Sequence, residues 1–115
     1  SANNILVHVS DGNLYSYKGD HQPVGFYSEK QISFTKQKVK VKKNDMIYLF
    51  SDGYQDQFGG ERNKKFMISK LKKLLLKISN ENVDTQLQKL KTEFELWKGN
   101  EEQIDDVCLM GVRVI

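Results

Sequence analysis

Apolar positions follow three rhythms along this chain: an unbroken run, an alternation, and a recurrence every three or four residues. The unbroken run is Met46-Ile47-Tyr48-Leu49-Phe50. Met46, Tyr48 and Phe50 would share one face of a strand and Ile47 and Leu49 the other. A short aromatic and β-branched run with two apolar faces predicts a central strand covered on both sides. It stops at Ser51-Asp52-Gly53, which sets a carboxylate where a rigid element ends. Gly53 lets the backbone turn sharply or approach another group closely. Asp-Gly is also an ordinary turn former, so from this stretch alone a plain turn and a site are both open.

Alternation dominates the first third of the chain. ILVHV at 5–9 and LYSY at 14–17 flank Asp11-Gly12, the pattern of a β-hairpin with a two-residue turn. Residues 18–26 read as a loop, with Gly19 and Gly25 bracketing Pro23. A further strand is expected over about 32–41. Lys36, Lys38, Lys40 and Lys42 would line one of its faces and Val39 and Val41 the other. A turn at Lys43-Asn44-Asp45 then leads into the central strand.

The helical rhythm follows. Over 66–78, Met67, Leu71, Leu74 and Ile78 recur at four, three and four, with Leu75 beside them and lysines elsewhere, an amphipathic helix with a basic outer face. A second helix carries Val83, Leu87, Leu90, Phe94 and Trp97. Asn82 or Asp84 can cap its start, and Gly99 suits the position after its end. Both stripes are too short for a coiled coil and read as faces packed on a sheet. The last element, VCLMGVRVI at 107–115, is a strand apolar on both faces except at Arg113. With no internal repeat or linker, residues 1–115 read as a single unit.

Composition narrows the class. The chain has 115 residues, 38% hydrophobic and 29% charged, with a net charge of +3. That suffices for one small soluble domain with its own core. No apolar stretch approaches the ~20 residues that span a bilayer, so no membrane contact is expected, and no signal peptide is visible. Ser1 is set aside as a cloning remnant. Cys108, the lone cysteine, excludes an internal disulfide and a thiolate cluster, and its apolar neighbours suggest a buried thiol. A cytoplasmic location fits. One-sided lysines on a strand read as a solvated face or a guarded edge. With so small a net charge and no interleaved aromatics, no nucleic-acid partner is expected. His8, flanked by valines with no second histidine near, reads as structural.

A second chemical feature precedes the last strand: Gln103-Ile104-Asp105-Asp106. Adjacent carboxylates at the mouth of a buried strand repel unless a positive charge sits beside them, which suits a hard cation with oxygen ligands. A solvated acidic turn, or a salt bridge to the lysine-rich helix, accounts for them equally. The pairing matters more. One acid ends a central strand and an acidic pair begins the final one, so if the two strands are neighbours the carboxylates can converge.

The chain resembles the SpoIIE-type branch of the metal-dependent (PPM, or protein phosphatase 2C-like) serine/threonine phosphatases. The resemblance is carried by ANN at 2–4, GDHQPVG at 19–25, NDMIYLFSDGYQDQFGG at 44–60, KKF at 64–66 and WKGNEEQIDDVCLMGVRV at 97–114. These stretches stand in family order and spacing from one end of the chain to the other. The resemblance implies an α+β fold, part of a PPM-type β-sandwich with flanking helices, to which this chain would contribute about five strands and two amphipathic helices. It also implies that an aspartate in each acidic motif binds metal. Asp52, Gly53, Asp105 and Asp106 are then the candidate metal-site residues, although relatives often carry asparagine at the place of Asp106. Asp56, one turn past Asp52, could orient a metal-bound water or, more simply, cap the segment after Gly53.

Family members carry about as much sequence again before this point, including an Asp in a first strand and an Asp-Gly-x-Gly-His-type motif. Neither is matched here, since His8, His21 and Asp11-Gly12 stand in other contexts. The chain is therefore expected to be the C-terminal portion of a SpoIIE-type domain, following a sensor or receiver region in a parent protein that could itself be membrane-anchored. The implied reaction uses two Mn²⁺ or Mg²⁺ ions to hydrolyse phosphoserine on a regulator of the anti-sigma-factor-antagonist kind. This chain alone would hold an incomplete site and be inactive. With half of a sandwich uncovered, it is expected to dimerise. The alternative is a phosphatase-like module that binds a partner without catalysis.

Overall fold

The computed structural model describes residues 4–19, 25–27, 31–34 and 37–115. The chain falls into two compact units, Ser1–Ser51 with Leu109–Ile115, and Asp52–Cys108.

The first unit is all β. Its strands are β1 (Asn4–Ser10), β2 (Asn13–Gly19), β3 (Gly25–Tyr27), β4 (Gln31–Phe34), β5 (Gln37–Lys40) and β6 (Met46–Phe50), joined by the last strand of the chain, Leu109–Arg113. β1 and β2 form the predicted hairpin, with Ser10 opposite Asn13. Asp11 and Gly12 both have positive φ, 50° and 78°, as a turn matched to the twist of its strands requires. β6 lies inside an antiparallel sheet between β1 and the Leu109–Arg113 strand. Leu6 pairs with Leu49 and His8 with Ile47. Ile47 and Leu6 join Val39 and Val41 in a buried cluster, against which Tyr17, Leu49 and Val114 pack. On the other face Ile5, Val7, Val9, Met46, Tyr48 and Phe50 are all buried. The central strand is thus enclosed on both faces, as its two apolar faces predict.

The strand expected over 32–41 is instead two strands. β4 and β5 pair antiparallel, Phe34 opposite Gln37 and Ile32 opposite Val39, and with β3 they make a second, three-stranded sheet. The reason is visible in the parity of the sequence. Ile32 and Phe34 stand at even positions, Val39 and Val41 at odd ones, so one continuous strand would divide them between its faces. The antiparallel pairing of β4 with β5 puts positions 32 and 39 on one face. Lys38 and Lys40 are exposed and Val39 is buried, as the alternation predicts. Lys36 and residues 20–24 of the expected loop lie outside the described residues.

His8 and Asp45 form a buried pair in this unit, Nε2 to Oδ2 at 2.7 Å. Asp45 Oδ2 also accepts from the Lys42 backbone N–H at 2.8 Å. Burial works against the Asp45 charge, but hydrogen bonds from His8, Lys42 and Ser10 outweigh it and hold the carboxyl below its ordinary range. His8 is structural, as its surroundings in the sequence suggest.

The second unit holds β7 (Phe58–Gly59) and β8 (Lys64–Lys65), a two-stranded ribbon, then α1 (Ile68–Ile78) and α2 (Val83–Lys98). The final strand of the chain is accordingly β9 (Leu109–Arg113). α1 starts after Met67, not at residue 66: Met67 has φ 82° and is 55% exposed, so it cannot join the buried stripe of Leu71, Leu75 and Ile78. α2 is capped as expected, Asn82 Oδ1 accepting from Thr85 N at 2.8 Å and the Gly99 N–H reaching Glu95 O at 3.0 Å. Its buried stripe is rotated, however. Gln86, Leu90 and Phe94 are inside, whereas Val83 and Leu87 are 46% and 47% exposed. Gln86 takes the place of Leu87 because its amide donates to Ser79 O and Glu81 O and so ties down the turn between the helices.

The sequence suggests a buried Cys108, but its thiol is exposed. It stands just before β9, an edge strand on which Met110 and Gly111 are also exposed. Apolar neighbours in sequence do not bury a side chain where the sheet ends.

Candidate metal centre

Asp52 opens a tight turn. The Asp56 N–H donates to Asp52 O at 3.0 Å, which closes one helical turn and stacks residue 55 beside residue 52. Gln55 Nε2 then donates to Asp52 Oδ1 at 3.1 Å. Asp52 is half-buried, and Gly53, Tyr54 and Gln55 are buried.

The next residues anchor this turn to the helices. Tyr54 donates its hydroxyl to Leu90 O at 2.6 Å and lies against Phe94 and Phe66. Burial pushes its phenol well above the usual range, so it acts as a hydrogen-bond donor. Gln57 O accepts from Phe66 N and from the Trp97 indole N–H, each at 2.9 Å. Gln57 Nε2 donates to Glu102 O at 2.9 Å, which fastens the acidic segment before β9 to the residues following Asp52. Lys70 Nζ lies over the Trp97 ring, 3.6 Å from its centroid.

The tightest contact is between the two acidic motifs themselves. A Cβ built on Gly53 would stand 2.0 Å from Asp106 O, 2.8 Å from Asp106 C and 3.1 Å from Val107 Cα. The backbone after Asp52 therefore runs directly against the backbone of the Asp105-Asp106 pair. In that pair Asp105 Oδ1 accepts from the Asp106 N–H at 2.9 Å, Asp105 O accepts from Gln103 Nε2 at 3.1 Å, and both side chains are exposed.

All four sequence-predicted site residues therefore lie in one unit, with Gly53 and Asp106 in backbone contact. Among the described residues no three His, Cys, Asp or Glu side chains are grouped to hold an ion. The oxygen donors and the glycine-lined contact suit a hard divalent cation in kind, as a contribution to a site rather than the whole of one. Asp56 pairs with Lys65 at 3.7 Å, beyond the roles of cap or water holder weighed for it. The sequence reading missed Gln55 and Gln57. Their signal was spacing: Gln55 follows Asp52 by three within a turn, and Gln57 opens the QFGG stretch. The Oε1 atoms of both are buried without a hydrogen-bond partner among the described residues.

The α+β frame, with its two acidic segments in contact, has part of a protein phosphatase 2C-like fold. The chain belongs to the SpoIIE family: the family model described as Stage II sporulation protein E matches residues 3–115. Among solved structures it is similar to the SiaA-PP2C domain of Pseudomonas aeruginosa, with a TM-score of 0.79 and 23% identity. That match covers 99% of this chain and 44% of the other, so the chain spans less than half the length of its structural relative, and the likeness is one of fold. None of the curated proteins matches it in sequence. Among the described residues no helix is long and apolar enough to cross a membrane.

Proposed function

We propose that this chain is the C-terminal portion of a metal-dependent phosphoprotein phosphatase domain and supplies the Asp52 and Asp105-Asp106 side of its metal site. The observation that carries the reading is the backbone contact between Gly53 and Asp106, which brings the two acidic motifs of the chain together. Asp52 and Asp105, with Gly53 and Asp106 beside them, would hold Mn²⁺ or Mg²⁺. When bound, the divalent ions supply a nucleophilic water and neutralise charge on the phosphoryl oxygens. The residues of this chain hold and orient: Gln55 fixes one oxygen of Asp52, and Gln57 fastens the segment that carries Asp105. The substrate class is phosphoserine on a small anti-sigma-factor-antagonist type of regulator, and the setting is intracellular signalling downstream of a sensor or receiver region.

In the full-length protein, Mn²⁺-dependent hydrolysis of a phosphoserine peptide is expected, with loss of turnover in Asp52→Asn and Asp105→Asn at unchanged fold. Near-normal turnover in Asp52→Asn defeats the metal role. Residues 1–115 alone are expected to give no hydrolysis above the blank, because Mg²⁺ and Mn²⁺ bind weakly where only one or two carboxylates are offered. A phosphatase-like module that only binds a partner is the second reading. A full-length protein that binds no Mn²⁺ would establish it. Residues 1–115 are further proposed to self-associate through the β9 edge, where Met110 is 57% exposed, and a clean monomer by light scattering would refute that.

A further inference from the structure

We infer that Gln55 is the positioning residue of Asp52, fixing its carboxylate for a cation. This rests on the metal-site reading above. The side chain of Gln55 is 7% exposed, and its backbone is held by a hydrogen bond from Met67 N to Gln55 O at 2.9 Å. Tyr54 before it and Gln57 two residues after it are clamped as well, Tyr54 by Leu90 O and Gln57 by Phe66, Trp97 and Glu102. The amide therefore has little freedom. Nε2 donates to Asp52 Oδ1, which selects one rotamer of the aspartate and directs the acceptor capacity of Oδ2 elsewhere.

The other end of the amide supplies the second argument. Gln55 Oε1 is buried with no partner among the described residues. Buried amide oxygens are almost always satisfied, and one left bare is costly. The amide keeps its bond to Asp52 Oδ1 at the cost of that bare oxygen.

The test uses the full-length protein, with Mn²⁺ binding read by the electron paramagnetic resonance of the free ion, and the side-chain amide of Gln55 read by NMR. Gln55→Leu keeps the volume and removes both polar atoms. It is expected to weaken Mn²⁺ binding about tenfold while the chemical shifts of α1 and α2 stay in place. Gln55→Glu, which sets a second negative charge against Asp52, is expected to change the affinity without restoring it. In metal-free protein the Gln55 amide protons are expected to exchange slowly and to shift in Asp52→Asn. Wild-type binding with Gln55→Leu indistinguishable from it overturns the inference and leaves the metal site standing. An Asp52→Asn variant whose Gln55 amide signals do not move overturns it independently of any metal. Absence of Mn²⁺ binding in the wild type removes the metal-site reading and this inference with it.

Discussion

Gly53 and Asp106 are in backbone contact so close that no side chain fits between them: a Cβ on Gly53 would fall 2.0 Å from the Asp106 carbonyl oxygen. Because the obstacle is backbone, it cannot rotate away. Gly53→Ala is therefore expected to force the two acidic segments apart. The cost should be about 2–3 kcal/mol of stability, in the range of an overpacked core, together with loss of Mn²⁺ binding in the full-length protein. Urea unfolding of the variant with an unchanged midpoint would show that the contact is not maintained in solution.

Trp97 closes the same unit from the other end. Its indole N–H reaches Gln57 O at 2.9 Å, its ring carries Lys70, and its carbonyl takes the Gly60 N–H at 2.9 Å. Trp97→Phe keeps an aromatic ring but removes the hydrogen bond and weakens the cation–π contact. A loss of about 1–2 kcal/mol is expected, measured by circular dichroism in denaturant. Gly59→Ala should cost more, since its Cβ would meet Trp97 O at 1.8 Å.

Asp45 makes the β unit acid-sensitive. Its pKa is lowered in the fold, so it binds fewer protons folded than unfolded. The stability it contributes is present above its unfolded value of about 3.9 and is lost as pH falls through the lower folded value. Asp45→Asn is expected to cost about 1–3 kcal/mol at neutral pH, because it removes a charged partner from buried His8. The gap between wild type and variant should close as pH drops below about 4. A gap that stays constant from pH 7 to pH 2 would contradict this.

Asn82 is the cap of α2 through Thr85 N. Asn82→Ala should destabilise by about 1 kcal/mol, and Asn82→Gly by only a few tenths. Equal effects of the two would mean that the side-chain oxygen is not the cap.

The sequence by itself determined the local structure. Two apolar faces on Met46–Phe50, Asp11-Gly12 between alternating runs, and a cap at Asn82 or Asp84 each follow from chemistry within a few residues, and the described strands and helices bear them out, with Asn82 as the cap. Asp52 and Asp105 stood out for the same reason, as charges at the ends of apolar runs. Tertiary structure decided what had to be shared between distant residues. A period of 3.6 allows either Leu87 or Gln86 to face inward, and only the carbonyls of Ser79 and Glu81, which need a donor, chose Gln86. Met67 and Cys108 are apolar in sequence yet exposed, because burial depends on what lies across from a residue and not on what precedes it. Gln55 and Gln57 carry no motif of their own. Their importance comes from the atoms they meet, Asp52 Oδ1 three residues back and Glu102 O more than forty residues on, and hydrogen bonds at that separation exist only once the chain has folded.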